Sequence, residues 1–180
     1  MRKRRRNECH VGSIRRVENP SGETAAELDL PSRKRSAERL VVGRREWIRL
    51  PDFDAGPFHA KTDSGARSSS IHAEEIKLSD DRSEVGFFTR DHYGRRHWCE
   101  MAVGGVSRVK SSTGEARPRI WVEVELELPG GFRWRTRLTL ADRRRMKCSM
   151  LLGRRALSGY FLIDTARDHL MGAFDARDGH

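Results

Sequence analysis

The residues best suited to catalysis lie at the end of a strand-like run, where Asp63-Ser64-Gly65-Ala66 follows Ala60-Lys61-Thr62. The glycine permits a tight loop that directs the preceding carboxylate out of a sheet and frees a backbone N–H nearby. Two carboxylates that share a proton can hydrolyse an amide, because one activates water while the other donates to the scissile carbonyl. Asp63, Ser64 and Gly65 are therefore the candidate catalytic residues.

The sequence offers one loop of this kind. Asp164-Thr165-Ala166 lacks the glycine and follows the apolar run at 160–163, so we interpret it as structural. A complete site would then need Asp63 from two subunits around a two-fold axis, with Ser64 bonding across the axis and Gly65 fixing the carboxylates. In the competing interpretation, Asp63 only caps local backbone N–H groups, as aspartates in loops often do.

The elements that position this loop are predicted to be short strands. Residues 120–128 alternate apolar and polar side chains, Pro129-Gly130-Gly131 forms a turn, and residues 132–140 alternate again, which predicts a hairpin. Further strands are predicted at 85–89 and 98–103, and a short helix at 154–157. The pattern indicates a mostly-β barrel or sandwich.

Charge separates a basic tail from the rest of the chain. The 180 residues carry a formal net charge of +10, and residues 1–40 contain 11 Lys or Arg against 6 Asp or Glu with no apolar periodicity. We expect a disordered tail at 1–40, one domain at 41–174 and a short tail at 175–180. The domain is only moderately basic, so nucleic acid is not expected as a partner except through the tail. An RNA-binding barrel has only Trp134, among basic neighbours, in its favour.

The cysteines and the apolar content bear on the compartment. Cys9, Cys99 and Cys148 match neither a disulfide framework nor a metal knuckle, which favours a reducing, cytoplasmic location. Polar residues follow the initial arginine run where a signal peptide would turn apolar, and no segment is apolar enough to span a membrane. His92, His97 and Cys99 could hold a metal, although surface or packing roles are commoner, and we expect no metal or cofactor.

Several further motifs make the chain resemble the retropepsin-like family of aspartic peptidases that carries the name ATP-dependent zinc proteases. The resemblance covers residues 43 to about 172 and rests on the order and spacing of Gly43-Arg44-Arg45-Glu46-Trp47, Leu50-Pro51, residues 60–67, Ser69-Ser70-Ile71-His72-Ala73, residues 109–114, Arg117-Pro118-Arg119-Ile120, Leu138-Thr139-Leu140 and residues 150–157. Ser64 stands where the family usually has Thr, and both offer a hydroxyl. Neither zinc nor ATP dependence is supported, since HExxH and phosphate-loop motifs do not occur.

The resemblance implies a mostly-β, closed retropepsin-like (acid-protease) barrel with a flap hairpin and one short C-terminal helix. The flap corresponds to residues 108–120, and residues 80–106 would form an extra hairpin; a plain polar turn at 111–114 is the alternative to a flap. The expected substrate-binding residues lie around the loop and at the flap tip: Lys61, Ala66, Arg67, His72, Ser111, Ser112 and Gly114. His59 also flanks the loop, where it could tune it or simply end a strand.

The function implied is an aspartic-type peptidase, a homodimeric hydrolase. Basic residues crowd the motif, and a basic cleft favours acidic peptides. Relatives of the family resemble partners of ATP-grasp glutamate ligases, so an acidic or glutamylated peptide or protein is the expected substrate. The alternative is a retropepsin-like module that binds a peptide or protein without cutting it.

Overall fold

The computed structural model describes residues 39–110 and 116–174, and the side chains of residues 109, 110 and 116 are outside this description. Backbone contacts divide the chain into Met1–Arg35 and Ser36–His180, and every feature described below belongs to the second unit. The predicted basic tail lies almost wholly outside the described residues, as do the C-terminal tail and the predicted flap-tip residues Ser111, Ser112 and Gly114.

The described ranges form twelve strands, one 3-10 turn and one short α-helix. In chain order these are β1 (Leu40–Gly43), β2 (Arg45–Leu50), the 3-10 turn (Pro51–Phe53), β3 (Ala55–Asp63), β4 (Ser69–His72), β5 (Glu74–Leu78), β6 (Glu84–Arg90), β7 (Arg96–Ala102), β8 (Gly105–Lys110), β9 (Ala116–Glu127), β10 (Arg133–Ala141), β11 (Met150–Gly153), α1 (Arg154–Leu157) and β12 (Phe161–Asp164). The mostly-β prediction is confirmed, as is the short helix at 154–157.

The long hairpin predicted from the alternating pattern is present as β9 and β10. Leu126 lies opposite Trp134, and Val122 lies opposite Leu138, so the apolar faces of both strands enter the core. On the other face, Arg133 and Arg137 pair with glutamates of β9 at 3.2 and 3.3 Å. Gly130 and Gly131 both have positive φ (85° and 82°), which the turn requires and which side chains rarely adopt.

Six strands of the main sheet follow one another in a ring. The order is β10-β4-β11-β3-β2-β9, and β9 also pairs with β10. The pairs β10–β4 and β11–β3 are parallel, and the remaining neighbours are antiparallel. Between β2 and β9 the register consists of a single residue pair, Arg49 with Glu127. These six strands carry eight of the largest fully buried apolar side chains: Phe58, Ile48, Leu50, Ile71, Leu126, Leu138, Met150 and Leu152.

A three-stranded sheet, β5-β6-β7, accounts for the predicted extra hairpin. β6 pairs with β7 from Glu84 opposite Ala102 to Arg90 opposite Arg96, within the predicted range of 80–106. Its inner face contributes Val85, Phe87 and Cys99 to the common core. A separate two-stranded parallel sheet joins β1 to β12.

One fully buried carboxylate connects the start of the domain to its end. Glu46 accepts hydrogen bonds from the backbone N–H groups of Gly43 (2.6 Å), Leu170 (3.0 Å) and Met171 (3.4 Å). These bonds give acceptors to backbone N–H groups that burial has removed from water. Within the described ranges, no helix has the length and apolar character needed to cross a bilayer.

Candidate active site

Asp63 is the last residue of β3, and its side chain is oriented by the loop that follows. Oδ1 accepts hydrogen bonds from the backbone N–H groups of Gly65 (3.0 Å) and Ala66 (3.1 Å). Oδ2 lies 3.6 Å from Lys61 Nζ, and the side chain retains 27% exposure. One oxygen is thus fixed by the backbone, while the other faces a cation and solvent. This geometry matches the tight loop predicted from the glycine.

The loop rests on β11 and the start of α1, ninety residues later in the chain. β11 runs parallel to β3, and Gly153 lies opposite Asp63 in the register. The N–H of Gly153 donates to Ser69 Oγ at 3.0 Å. A Cβ placed on Gly153 would lie 2.6 Å from both the carbonyl carbon and the carbonyl oxygen of Ser68. Only glycine therefore fits here without displacing the chain that follows the Asp63 loop.

Two consecutive arginines complete this support. The Nη1 of Arg154 donates to the carbonyl oxygens of Ser64 and Gly65, both at 2.9 Å. The backbone N–H groups of Arg154 and Arg155 donate to the carbonyls of Ala66 (2.8 Å) and Arg67 (3.2 Å). A charged donor makes stronger hydrogen bonds than a neutral one, so the Arg154 side chain fixes the loop's outward carbonyls.

Asp63 opens onto a cleft of about 1250 Å³. Ten lysine and arginine residues line it, and Asp63 is the one acidic residue among the described residues that do so. The cations are Arg44, Arg45, Lys61, Arg67, Arg108, Arg119, Arg137, Arg143, Lys147 and Arg155. Such a surface attracts anions by its summed field, because low-dielectric walls focus a field of one sign.

Some of these cations are already neutralised and others are not. Arg44 pairs with Asp168 at 2.9 Å, and Arg137 pairs with Glu123 at 3.3 Å. Among the described residues, Arg67, Arg119 and Arg155 have no acidic partner. The cleft consequently keeps positive charge that its own carboxylates do not balance.

An aromatic side chain forms part of the same cleft. The indole of Trp121 lies against Gly104 and Gly105, so closely that a Cβ on Gly104 would be 2.0 Å from a ring carbon. The guanidinium of Arg137 lies 4.2 Å from the ring centroid. In the alternating pattern at 120–128, Trp121 falls on the same face as the glutamates, and the Gly104-Gly105 pair is the signal in the sequence that could have revealed its packing.

The predicted site residues separate into two groups. Lys61, Asp63, Gly65, Ala66 and Arg67 line the cleft together, and Ser64 is exposed beside them on the same loop. The second group, His59 and His72, lies apart and is described next.

His72 is buried and lines a neighbouring cavity of about 550 Å³ rather than the cleft. Its Nδ1 accepts a hydrogen bond from the backbone N–H of Arg143 at 3.0 Å, so its Nε2 is the donor to Glu74, also at 3.0 Å. His72 thus lies beside the cleft rather than in it with Asp63, and its role in substrate binding stays a prediction.

His59 packs in an aromatic stack in the same region. Its ring lies 4.9 Å from that of Trp47 and 5.0 Å from that of His169. Burial, together with the nearby His169, Arg45 and His92, lowers the pKa of His59 below its ordinary value of 6.5. The ring is consequently held neutral more firmly than a free histidine.

The three residues considered for a metal have different surroundings. His97 Nε2 lies 3.0 Å from Asp91 Oδ2, whereas the ring of His92 packs edge-on against Trp47. Cys99 is fully buried, and burial raises the pKa of its thiol to about 12. In the described part of the chain, no group of three His, Cys, Asp or Glu side chains is arranged to hold a metal ion.

Asp164, interpreted above as structural, ends β12 and is engaged by its own turn. Its oxygens accept hydrogen bonds from the backbone N–H of Ala166 (2.9 Å) and from Arg167 Nε (2.7 Å). These bonds, with Arg167 nearby, lower the pKa of Asp164. Both oxygens are thus committed to local contacts.

Comparisons with known proteins bear on this arrangement. The model of a family described as RimB-like, retropepsin-like aspartic endopeptidase RimB, matches residues 41–172. Curated relatives include a probable alpha-L-glutamate ligase of Shewanella pealeana, 34% identical over 142 residues, which are 76% of this chain and 31% of the relative. One of the same name from Desulfotalea psychrophila is 32% identical over 74% of this chain and 30% of its own length. This chain therefore spans about a third of these relatives.

A solved structure shares the fold. The crystal structure of the Legionella pneumophila protein Lpg0085, of unknown function, superposes with a TM-score of 0.63 at 23% identity. The match covers 74% of this chain and 99% of that one. At this identity the likeness concerns the fold alone.

Proposed function

This chain belongs to the RimB-like family of retropepsin-like aspartic endopeptidases, and from that premise we propose that it is an aspartic-type peptidase that hydrolyses acidic or glutamylated peptides. The observation that carries the proposal is the position of Asp63, a carboxylate oriented by its own loop in a cleft otherwise lined by cations. The ring of six strands is interpreted as the closed retropepsin-like barrel, and the β8–β9 hairpin as its flap. Ser107, Arg108, Arg119 and Trp121 of that hairpin line the cleft, which supports the flap assignment.

The chemistry requires a second carboxylate, which we assign to Asp63 of the partner subunit in a homodimer. Ionised Asp63 takes a proton from water as the water oxygen bonds to the scissile carbonyl carbon. Asp63 of the partner subunit, in its protonated form, gives its proton to the carbonyl oxygen. Collapse of the resulting diol breaks the C–N bond, and the departing amine takes the proton that Asp63 received. One diol hydroxyl returns its proton to Asp63 of the partner subunit, which leaves a carboxylic acid and restores both aspartates to their starting protonation.

Two observations support an acidic substrate. The unpaired cations of the cleft, Arg67, Arg119 and Arg155 among them, offer planar donors that suit carboxylates. The curated relatives are named for joining glutamate, and a region about a third of their length is similar to this chain. A peptidase of this family would then cut glutamyl bonds of the kind such ligases form, in the cytoplasm, where the widely spaced cysteines stay reduced.

The alternative, a peptide-binding module without activity, is favoured by one contact. Lys61 Nζ lies 3.6 Å from Asp63 Oδ2, so the oxygen that the backbone leaves free already has a positively charged neighbour. In this case the cleft would bind acidic peptides through its cations alone.

The substitution Asp63→Asn distinguishes the two functions. Asn retains an oxygen that can accept from Gly65 and Ala66, so the loop geometry survives while the base is lost. We expect cleavage of a poly-glutamate peptide, followed by mass spectrometry, to fall by about 100-fold or more, with binding retained. Asp164→Asn removes the same charge at a turn outside the cleft and serves as the control.

Unchanged turnover in Asp63→Asn would mean that Asp63 is not the catalytic residue. Sedimentation of the active protein tests the dimer separately. A species that remains monomeric at the concentrations where it cleaves would rule out a site shared between subunits.

A further inference from the structure

Arg143 is a partly buried cation with no acidic partner among the described residues. Its Nε donates to the carbonyl of Cys148 at 3.2 Å, and its Nη1 donates to Ser70 Oγ at 3.1 Å. Both acceptors are neutral. A guanidinium carries five N–H donors, so three of them have no acceptor in the described part of the chain. Burial lowers the pKa of Arg143, and the positive charge of Arg119 acts in the same direction, whereas Cys148 and the carboxylate of Asp63 act against it from a distance without forming an ion pair.

A partly buried charge that no carboxylate contacts is costly, and arginine cannot escape the cost by losing its proton. The partners it does have hold its side chain in place rather than neutralise it. Ser70 lies on β4, and Cys148 precedes β11, so the guanidinium is fixed against two strands of the main sheet. A fixed, unneutralised guanidinium fits the binding of an anion that comes from outside the chain.

Arg143 stands where two cavities meet. It lines the cleft that contains Asp63, and it also lines the second cavity of about 550 Å³, together with Met146 and Lys147 in both cases. The two cavities are therefore neighbours, and the Arg143 side chain lies at their shared edge.

The acidic groups of the second cavity are already engaged. Glu74 accepts hydrogen bonds from Arg90 at 3.3 Å and is 3.0 Å from His72 Nε2. Asp91 is bound by Arg95 at 2.7 Å and by His97 at 3.0 Å. Neither carboxylate is left to neutralise Arg143, so this second cavity also favours a negatively charged ligand.

We propose that Arg143 binds a carboxylate of the substrate, contributed by the side chain or the C-terminus of a glutamyl residue, and that the second cavity is the subsite for that residue. The proposal rests on the proposed function, since it assigns part of the specificity of the same site. A planar carboxylate can accept two parallel bonds from the free edge of a guanidinium, which gives direction as well as charge.

The distance between Arg143 and Asp63 suits a peptide that reaches both residues. Ser70, which holds Arg143, pairs with Leu151 of β11, and Leu151 pairs with Lys61 of β3. Adjacent strands lie about 4.8 Å apart, so Ser70 and Lys61 are separated by roughly 10 Å, the length of about three extended residues. A bound glutamyl residue therefore belongs within a few positions of the bond that is cut.

The test measures binding of a tri-glutamate peptide by calorimetry, in full-length protein carrying Asp63→Asn so that no cleavage occurs. Adding Arg143→Met keeps the apolar stem and removes the charge, and we expect the affinity to fall about 30-fold or more. Arg145→Met is the matched control, because Arg145 is exposed on the same segment and lines neither cavity. Its affinity should stay within about threefold of the parent.

A second variant covers loss of folding, because Arg143 also holds Ser70 and the Cys148 carbonyl. Arg143→Lys keeps the positive charge but loses the planar, two-pronged donor geometry of the guanidinium. We expect the affinity for the peptide to fall about tenfold, with an unchanged thermal midpoint. Affinity within threefold of the parent in a folded Arg143 variant overturns the proposal, and so does an equal loss in Arg145→Met. Inorganic phosphate that binds through Arg143 more tightly than the peptide also overturns it.

The outcomes separate this proposal from the peptidase proposal. If wild-type protein does not cleave the peptide but binds it through Arg143, the peptidase function fails and the carboxylate site stands. If the Arg143→Met protein with Asp63 intact cleaves the peptide as efficiently as wild type, the carboxylate site fails and the peptidase function stands.

Discussion

Replacing Gly153 by alanine should displace the Asp63 loop while leaving every side chain that lines the cleft unchanged. The added Cβ would lie 2.6 Å from the carbonyl carbon and oxygen of Ser68 and 3.0 Å from the carbonyl oxygen of Ala66. Ordinary contact begins near 3.4 Å, and both neighbours are backbone, so the chain after the loop must retreat by about 0.8 Å. Ala66 is also one of the two donors to Asp63 Oδ1, so the movement reaches the carboxylate.

The expected losses differ between stability and catalysis. Inserting one methyl group into a packed site costs about 1–3 kcal/mol of unfolding free energy. A misplacement of about 1 Å at reacting groups can cost about 100-fold in rate. We therefore expect Gly153→Ala to fold with modestly reduced stability and to cleave poly-glutamate peptide about 100-fold more slowly.

The assay compares cleavage rates with denaturant unfolding curves, using Leu157→Ala as the matched control. Leu157 is buried in α1 beside Gly153, and its truncation should cost about 2–5 kcal/mol without moving the loop. The control should lose stability yet keep most of its rate at a temperature where it is folded. A Gly153→Ala protein that cleaves at the wild-type rate would refute the reasoning that β11 positions Asp63.

Two further predictions concern stability. Glu46→Ala leaves the N–H groups of Gly43, Leu170 and Met171 without their acceptor, so we expect a loss of about 2–4 kcal/mol in urea unfolding; an unchanged midpoint would contradict it. Since the pKa of His59 lies below 6.5 in the folded state, the unfolded state binds a proton first as pH falls. The thermal midpoint should therefore fall as the pH is lowered past 6.5, and it should fall less in His59→Gln. If the midpoints of the two proteins depend on pH in the same way, His59 is excluded as a source of the pH dependence.

Local patterns in the sequence were sufficient for the long hairpin and the short helix. Alternation at 120–128 and 132–140 sets which faces of β9 and β10 are buried, and Gly130-Gly131 supplies the positive φ of the turn between them. The helix after Gly153 follows from a sharp change from an apolar pair to a run with good helix formers. In each case the determining residues are neighbours in the chain.

Local patterns could not predict which side chains from different strands come together in the fold. His72 is only nine residues from Asp63, yet β4 runs antiparallel to β11 while β3 runs parallel to it, so the chain has turned back. Ser69, at the start of β4, stays near Gly153, and His72 ends about 10 Å further on. Proximity along the chain therefore could not show that His72 lies in the neighbouring cavity rather than in the cleft with Asp63.

Arg143 is a second residue whose surroundings local sequence patterns could not predict. In the sequence it is the first of three consecutive arginines, and nothing distinguishes it from Arg144 and Arg145. The role proposed for Arg143 depends on Ser70, more than seventy residues earlier in the chain, and on the partial burial that β4 and β11 provide. Arg144 instead pairs with its neighbour Asp142 at 2.7 Å and stays exposed.

The parallel pairing of β3 with β11 also determines when during its synthesis the protein can acquire an organised site. Asp63 leaves the ribosome about ninety residues before Gly153 and Arg154, the residues that support its loop. A nascent chain that ends before Met150 has the carboxylate but not the strand beside it, and such long-range pairing forms late in folding. The loop that carries Asp63 is thus left without the support of β11 and Arg154 until almost the whole domain has been made.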